Sequence, residues 1–214
     1  MALSKRAQEI CDQLDQQNLK MGDVKKCAAK TKKDHELALE LWSTGDFGPG
    51  LVAVLIMDKG QLDQDAIEGL AKDIASHPED QRDKLSEWLM AHQLMKSKRT
   101  TAMIESWKDH SSPTLRRLFW YHQGRLRWMG KIPTDNGAEL IKSIDEQLEK
   151  ESPEVQWAMN FTAGWIGVHD PKYRDQCIKI GERVGLYKGD HVHPGCTPNY
   201  LPEFIAMEAD KAGK

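Results

Sequence analysis

The sequence predicts an all-α protein in which antiparallel helix pairs stack into an α-solenoid. Three observations lead to this prediction. Apolar residues recur at spacings of three and four along the 214-residue chain, which places them on one face of a helix. Ser-Pro and Asp-Pro pairs stand where helices would begin, and glycines separate the periodic segments. No segment shows a convincing alternation of apolar and polar residues, the pattern typical of strands.

The periodic segments follow one another along the whole chain. Their apolar sets are Ile10 and Leu14; Leu37 and Leu41; Ile67, Leu70 and Ile74; Leu85, Trp88 and Leu89; Leu140, Ile144 and Leu148; and Val155, Met159, Thr162 and Ile166. The run from Val52 to Met57 is compatible with a strand, but Pro49 and the helical neighbours favour a buried helix. Each of these segments therefore predicts a helix with one buried face.

Start and stop signals divide the chain into roughly ten to twelve helices of about 10–18 residues. Proline suits the first turn of a helix, so Pro113, Pro153 and Pro171 predict helix starts. Chain reversals are predicted at Gly45, Gly60, Gly130 and Gly185. So many short helices favour a solenoid with a concave face, although no exact repeat is visible, and a compact irregular bundle is the alternative.

The chain length predicts one domain over residues 1–214, with a peripheral N-terminal helix in 1–19 and a closing segment in 187–214. The hydrophobic fraction of 39% and the seven tryptophans predict a sizeable core despite a mean hydropathy of −0.64. The longest apolar run, Leu51–Met57, is far shorter than the ~20 residues that span a bilayer. These features predict a soluble protein without a membrane partner.

Four cysteines, two histidines and Asp190 are the residues that bear on redox state and metal binding. Cys11, Cys27, Cys177 and Cys196 include no C-x-x-C pair, which predicts reduced thiols and a cytoplasmic location. Asp190, His191, His193 and Cys196 have the chemistry of zinc ligands. Ligands from one loop seldom complete a tetrahedral site, so a closing loop is the favoured interpretation, and no metal or other cofactor is expected.

Charge is unevenly distributed over a chain whose net charge is −3. Residues 96–131 hold nine Lys or Arg against two Asp or Glu, a net +7, so the remainder carries −10. A weaker basic stretch lies between Lys20 and Lys33. Concentrated positive charge attracts polyanions, and the interleaved rings favour nucleic acid because bases stack on them. These rings are Trp107, Phe119, Trp120, Tyr121 and Trp128. The alternative is a solvated basic helix face.

Three blocks of sequence resemble the AlkD-like DNA alkylation repair family over residues 20–207. They are Met21–Lys26 with Asp34–Gly45; Pro153–Asn160; and Gly167–His169 with Ile180–Tyr187, Gly195–Thr197, Pro202 and Ile205. The resemblance implies HEAT-like repeats and a concave face that holds DNA. It also implies alkylpurine DNA glycosylase chemistry that requires no cofactor.

The resemblance assigns roles to residues of this chain. The catalytic branch carries a Trp that contacts the lesion nucleotide and, four residues later, an Asp that stabilises positive charge. The matching pair here is Trp88 and His92. The DNA-contacting Arg of the family matches Arg117, and its second cleft aromatic matches Phe161. Relatives tend to carry Ala-Arg where this chain has Pro49 and Gly50.

We therefore expect a HEAT-like solenoid that binds duplex DNA, including damaged DNA, in a basic concave groove. The expected phosphate contacts are Arg116, Arg117, Arg125 and Arg127, with Trp88 and Phe161 against sugar or base. Arg125 and Arg127 are two residues apart, so they point to different sides of a helix.

Excision of alkylated bases would involve His92, which supplies no fixed negative charge. Trp42, Trp157 and Trp165 are expected to pack in the core. The alternative function is a non-catalytic scaffold that binds a protein partner.

Overall fold

The computed structural model describes residues 3–14, 18–131 and 136–213, and within these ranges it contains twelve α-helices and no strands. The all-α prediction and the expected number of helices are confirmed. The chain divides into two compact units, Met1–Trp107 and Lys108–Lys214. This division does not test the prediction of one domain over residues 1–214 with a peripheral helix in 1–19, which stays a prediction.

The described residues of the first unit form seven helices. They are α1 (Lys5–Gln13), α2 (Met21–Thr31), α3 (His35–Trp42), α4 (Phe47–Ile56), α5 (Gln64–Ala75), α6 (Glu79–His92) and α7 (Lys98–Ile104). Short 3₁₀ turns occupy Lys59–Gln61, Leu94–Lys96 and Glu105–Trp107. Helix α4 is central and packs against α2, α3 and α6. Most of its side chains are buried, because neighbours contact it on several sides, and this confirms the buried helix predicted over Val52–Met57.

In the second unit, the residues that the structure describes form five helices and one 3₁₀ turn at Leu148–Lys150. The helices are α8 (Pro113–Trp128), α9 (Gly137–Gln147), α10 (Pro153–His169), α11 (Pro171–Val184) and α12 (Leu201–Lys211). Helix α10 contacts all four others, most extensively α8. Its Gly164 lies so close to Phe204 of α12 that an added Cβ would stand 2.6 Å from the ring. Because α10 contacts all four other helices, it forms the centre of this unit.

The three predicted proline start signals are confirmed, since α8, α10 and α11 begin at Pro113, Pro153 and Pro171. Asp170 caps α11 by accepting a hydrogen bond from the Lys172 N–H. The same helix ends at Gly185, which adopts the left-handed conformation with φ of 70° that glycine permits without strain. Local sequence thus fixes the ends of this helix.

The predicted closing segment, 187–214, contains α12, which packs against α10 and α11. Asn160 of α10 donates a hydrogen bond from Nδ2 to the Asn199 carbonyl oxygen, at 2.7 Å. This bond ties the loop before α12 to the central helix. Among the described residues, no helix is both long enough and apolar enough to cross a membrane.

Candidate nucleic-acid interface

One face of α8 alternates cations and aromatic rings. Arg117, Tyr121, Arg125 and Trp128 follow at spacings of four, four and three, which places their side chains in a row along the helix. The row spans about 16 Å at the α-helical rise of ~1.5 Å per residue. Helix periodicity therefore gathers two of the predicted phosphate-binding arginines beside two rings.

A second row lies on α10, where aromatic side chains recur at every fourth residue. The row consists of Trp157, Phe161, Trp165 and His169. The Trp157 and Phe161 rings are stacked, with centroids 5.3 Å apart and an interplanar angle of 10°. Phe161 then meets Trp165 edge to face at 6.2 Å. Trp165 is buried, whereas Trp157 and Phe161 are each partly exposed, so two adjacent rings of this row are accessible at the surface.

The two rows contact one another. The Arg117 guanidinium lies over the Trp157 ring, with Cζ 4.7 Å from the centroid, and Nη1 donates a hydrogen bond to the Glu154 carbonyl oxygen at 3.2 Å. The ring of Tyr121 packs against both rings of α10, with its centroid 5.8 Å from that of Trp157 and 5.6 Å from that of Phe161. Contacts from α8 thus hold both partly exposed rings in fixed positions.

Gly124 allows this arrangement. A Cβ atom at this position would stand 2.6 Å from Cδ1 of Phe161 and 3.0 Å from Oγ1 of Thr162. Both distances are shorter than ordinary van der Waals contacts, so the Phe161 ring occupies the space that a side chain would need. The position of Phe161 therefore depends on the absence of a side chain at residue 124.

The four arginines of α8 differ in accessibility. Arg117 and Arg127 are buried, with 2% and 5% of their surface exposed. Arg127 donates from Nη2 to Asn136 Oδ1 at 2.6 Å and from Nη1 to the Gln123 carbonyl oxygen at 3.0 Å, and burial lowers the pKa of its guanidinium. This arginine is held inside the second unit.

Arg116 forms a two-point ion pair with Glu151, with Nε–Oε1 and Nη2–Oε2 distances of 3.0 and 2.8 Å. Its Nη1 also donates to the carbonyl oxygens of His110 and Ser111. Such bidentate pairing fixes the guanidinium plane. Arg125, by contrast, is partly exposed and donates from Nη1 to the Tyr121 hydroxyl at 3.2 Å.

In the first unit, the predicted pair on α6 is in contact. The Trp88 and His92 rings meet edge to face with centroids 5.3 Å apart. Trp88 is half-buried and His92 is exposed, whereas Leu85 and Leu89 of the same helix are fully buried. The pair therefore lies toward the solvent side of α6.

A concavity of about 400 Å³ lies beside the turn that follows α6, and Met95, Lys96 and Lys98 contribute to its lining. The Lys59 ammonium donates to the Lys96 carbonyl oxygen at 2.8 Å and anchors this turn. Both lining lysines are exposed. The lining therefore carries two lysines and one carboxylate, that of Glu105.

Gly50 is buried in α4. A Cβ there would lie 3.5 Å from Leu85 Cδ2 and 4.0 Å from the Trp42 ring, which are ordinary packing distances. A cavity of about 280 Å³ is lined in part by Trp42, Gly50 and Asp73. The Trp42 indole N–H donates to Asp73 Oδ2 at 2.8 Å, so Trp42 both packs and binds a carboxylate.

Within each unit, the structure brings some of the predicted site residues into contact. Trp88 touches His92, and both Arg117 and Phe161 touch Trp157. Sequence reasoning assigned Trp157 to packing alone and missed its partial exposure. Its position four residues before Phe161 is the signal that could have placed it in the same row.

The loop before α12 contains the residues considered as zinc ligands. The His191 and His193 rings meet at 5.2 Å. Within the described residues, no group of three or more His, Cys, Asp or Glu is arranged to hold a metal ion. All four cysteines are free; Cys196 is exposed, whereas Cys177 is fully buried.

Comparisons with known proteins agree with this architecture. The family described as DNA alkylation repair enzyme matches residues 6–183, and no curated protein matches significantly. One solved structure is described as "A new family of proteins related to the HEAT-like repeat DNA glycosylases with affinity for branched DNA structures". It aligns with a TM-score of 0.74 at 16% identity, covering 99% of this chain and 95% of that chain. This similarity establishes a fold shared with a relative of the HEAT-like repeat glycosylases.

Proposed function

Because the chain belongs to the DNA alkylation repair enzyme family, we propose that it binds duplex DNA, including damaged or distorted DNA. The observation that carries this proposal is the contact of Arg117 with Trp157 and the stacking of Trp157 on Phe161. Two partly exposed rings held by neighbouring side chains are preorganised for sugar or base contacts. The basic concave face predicted from the sequence is part of this proposal.

The proposed roles follow the accessibility of each side chain. Trp157, Phe161 and Trp88 contact sugar or base, and Arg125 contacts a phosphate. Arg117 acts as a positioning residue, because its buried guanidinium lies over Trp157. Arg116 reaches a phosphate by exchanging its Glu151 partner, and Arg127 orders the C-terminal end of α8 through Asn136.

We propose further that the chain binds lesions without efficiently excising them. An N-alkylated purine already carries positive charge, so cleavage chiefly needs a negative group near the developing oxocarbenium sugar and a positioned water. His92 takes the place that the family's catalytic Asp is expected to occupy. An imidazole supplies no fixed negative charge. We therefore expect this chain to cleave the bond between the base and the sugar poorly, because the developing oxocarbenium sugar needs an anion beside it.

Salt titration of duplex binding tests the proposal. Phosphate contacts release counterions, so the affinity for a fluorescent duplex should fall steeply and linearly on a log–log plot as salt rises. A scaffold for a protein partner would show negligible duplex binding even at low salt. That second result would overturn the proposed function.

A variant that introduces a carboxylate at residue 92 tests whether the lack of a negative charge limits base excision. Purified protein is incubated with N-alkylated DNA, and free alkylpurine is measured for the native chain, His92→Asp and His92→Ala. We expect release to rise in His92→Asp and to stay at background in the other two. Release by the native chain that His92→Ala abolishes would contradict the proposal and establish an enzyme that uses the imidazole.

A further inference from the structure

We propose that Glu151 is an internal competitor of DNA phosphate. Its carboxylate occupies Arg116 in the free protein, and a DNA strand has to displace it before the guanidinium binds a phosphate. This inference rests on the DNA binding proposed above and concerns the regulation of that site. The Arg116–Glu151 ion pair is therefore an autoinhibitory contact, which lowers the affinity for a duplex as long as it stays closed.

The Arg116 guanidinium is held in place by contacts that do not involve Glu151. Its Nη1 donates to the carbonyl oxygens of His110 and Ser111 at 2.7 and 3.1 Å. The opposite edge of the guanidinium faces the carboxylate, with Nε 3.0 Å from Oε1 and Nη2 2.8 Å from Oε2 of Glu151. When the carboxylate leaves, the two carbonyl contacts keep the guanidinium in its orientation with the Nε–Nη2 edge open.

The Nε–Nη2 edge is also the one that a phosphate would use. Arginine binds carboxylates and phosphates in the same way, through two parallel N–H···O bonds. Glu151 already accepts both of these bonds, so its two oxygens fill the positions that two phosphate oxygens would take. Only one of the two anions can bind this edge at a time, and binding of DNA to Arg116 therefore requires release of Glu151.

The ion pair is placed so that it can open without a change in the fold. The side chains of Arg116 and Glu151 keep 18% and 16% of their surface exposed, so the released carboxylate has access to water. Glu151 lies in the short link between the turn Leu148–Lys150 and α10. Gln156 fixes this link by donating from Nε2 to the Leu148 carbonyl oxygen at 3.0 Å. Rotation of the Glu151 side chain about its own bonds is enough to free the guanidinium.

The pair lies beside a ring that is proposed to contact DNA. Arg117, the next residue of α8, donates to the Glu154 carbonyl oxygen and lies over the Trp157 ring. Arg116 and Arg117 thus both contact residues at the N-terminal end of α10. A duplex bound at Trp157 brings its phosphates close to the ion pair, and this high local concentration favours exchange of the carboxylate for a phosphate.

The test measures the affinity for a fluorescent duplex by anisotropy over a range of salt concentrations. Glu151→Gln removes the charge of the competitor and retains its size. We expect its affinity to exceed that of the native protein by about two- to fivefold, the scale of one partly exposed ion pair. The log–log salt dependence should become steeper by at most about one phosphate contact. Glu151→Asp keeps the charge on a shorter side chain, so a smaller gain is expected.

Two further variants separate competition from a general effect of charge. Glu149 lies two residues earlier and pairs with Arg183. Glu149→Gln therefore removes the same charge nearby but leaves Arg116 paired, and its affinity should stay close to the native value. Arg116→Ala in the Glu151→Gln background should abolish the gain, because the competitor acts only through this guanidinium. Urea unfolding establishes that each variant is folded.

Three results would overturn the inference while leaving duplex binding intact. They are an unchanged or lower affinity of Glu151→Gln, an equal gain in Glu149→Gln, and a gain that survives Arg116→Ala. If Glu151→Gln does not fold, Glu151→Asp decides instead, and its affinity must exceed that of the native protein. Absence of duplex binding by the native protein and by every variant would overturn the proposed function as well.

Discussion

The Arg117 guanidinium lies over the indole ring of Trp157, with Cζ 4.7 Å from the ring centroid. Arg117 is almost fully buried on α8, whereas Trp157 on α10 is partly exposed. A cation over a tryptophan face stabilises the contact by about 0.5–2 kcal/mol, more when it is desolvated. The buried residue therefore sets the orientation of the accessible one.

Arg117→Ala should weaken duplex binding by about tenfold, the scale of a lost contact with a nucleic-acid base, because the Trp157 ring loses its support. Trp157→Ala should have a similar effect, and the double variant should lose little more than either single one, because both changes remove the same contact. Binding isotherms at fixed salt measure all three variants.

Arg183→Ala is the matched control for charge. Arg183 is exposed on α11 and pairs with Asp145 and Glu149, so its loss removes one positive charge from the same unit away from α8. Its duplex affinity should stay within about twofold of the native value. Equal effects of Arg183→Ala and Arg117→Ala would mean that only net charge matters and would contradict the positioning role.

Gly124→Ala should destabilise the protein by about 1–3 kcal/mol, the usual cost of overpacking. An added Cβ would stand 2.6 Å from the Phe161 ring, so the ring must move. We expect weaker duplex binding as well, since Phe161 stacks on Trp157. Urea unfolding and binding isotherms check the two effects separately.

Gly69→Ala is the control for this substitution. Gly69 is an exposed residue within α5, and an added Cβ there would meet nothing within 4 Å. Alanine favours a helix interior over glycine, so the free energy of unfolding should rise by up to ~1 kcal/mol. Similar destabilisation by both variants would contradict the packing argument for Gly124.

Acid should destabilise the second unit through His122. Burial lowers the pKa of this imidazole to about 4, whereas in the unfolded chain it is about 6.5. Between these values only the unfolded chain binds the proton, so the free energy of unfolding falls as the pH drops. From pH 7 to pH 5 the contribution is about 2 kcal/mol.

Urea unfolding at pH 7 and pH 5 checks the role of His122. The decrease between the two pH values should be smaller in His122→Gln than in the native chain. His193→Gln, which changes an exposed histidine, should retain the native decrease. An unchanged pH dependence in His122→Gln would show that the acid sensitivity originates elsewhere.

The four thiols should react with iodoacetamide at very different rates. Cys177 is fully buried, and burial raises its pKa to about 12, so it carries almost no thiolate and admits no reagent. Burial also raises the pKa of Cys11 and Cys27. Mass spectrometry should find Cys196, which is exposed, labelled first and Cys177 labelled only after unfolding. Early labelling at Cys177 would contradict the packing of α11.

Much of the fold could be predicted because the signals are local. Proline after Ser112, Ser152 and Asp170 predicts the starts of α8, α10 and α11, and the structure confirms all three. Proline favours the first turn whatever packs against the helix later. The apolar run Val52–Met57, with Pro49 before it and helical neighbours, likewise predicts a buried helix from local sequence, and α4 covers most of this run.

The candidate site was harder to predict because accessibility is not a local property. The basic segment 96–131 contains several arginines, and the folded structure places these identical side chains in different environments. Arg127 is buried and bound to Asn136, Arg116 is paired with Glu151, and Arg125 stays partly exposed beside Trp128. Composition counts these side chains equally, whereas a phosphate would meet only those that reach the surface.

Sequence alone determined that this protein is helical and where α8, α10 and α11 begin, because helix periodicity and the proline start signal act over a few residues. It also determined which family the chain resembles. Only the tertiary structure decided that Trp157 is accessible and that Arg117 supports it. These two residues are 40 positions apart in the chain, and their contact exists only because α8 packs against α10 with Gly124 at the crossing. Packing between helices, which depends on all the side chains at the contact, selects which cations and rings reach the surface.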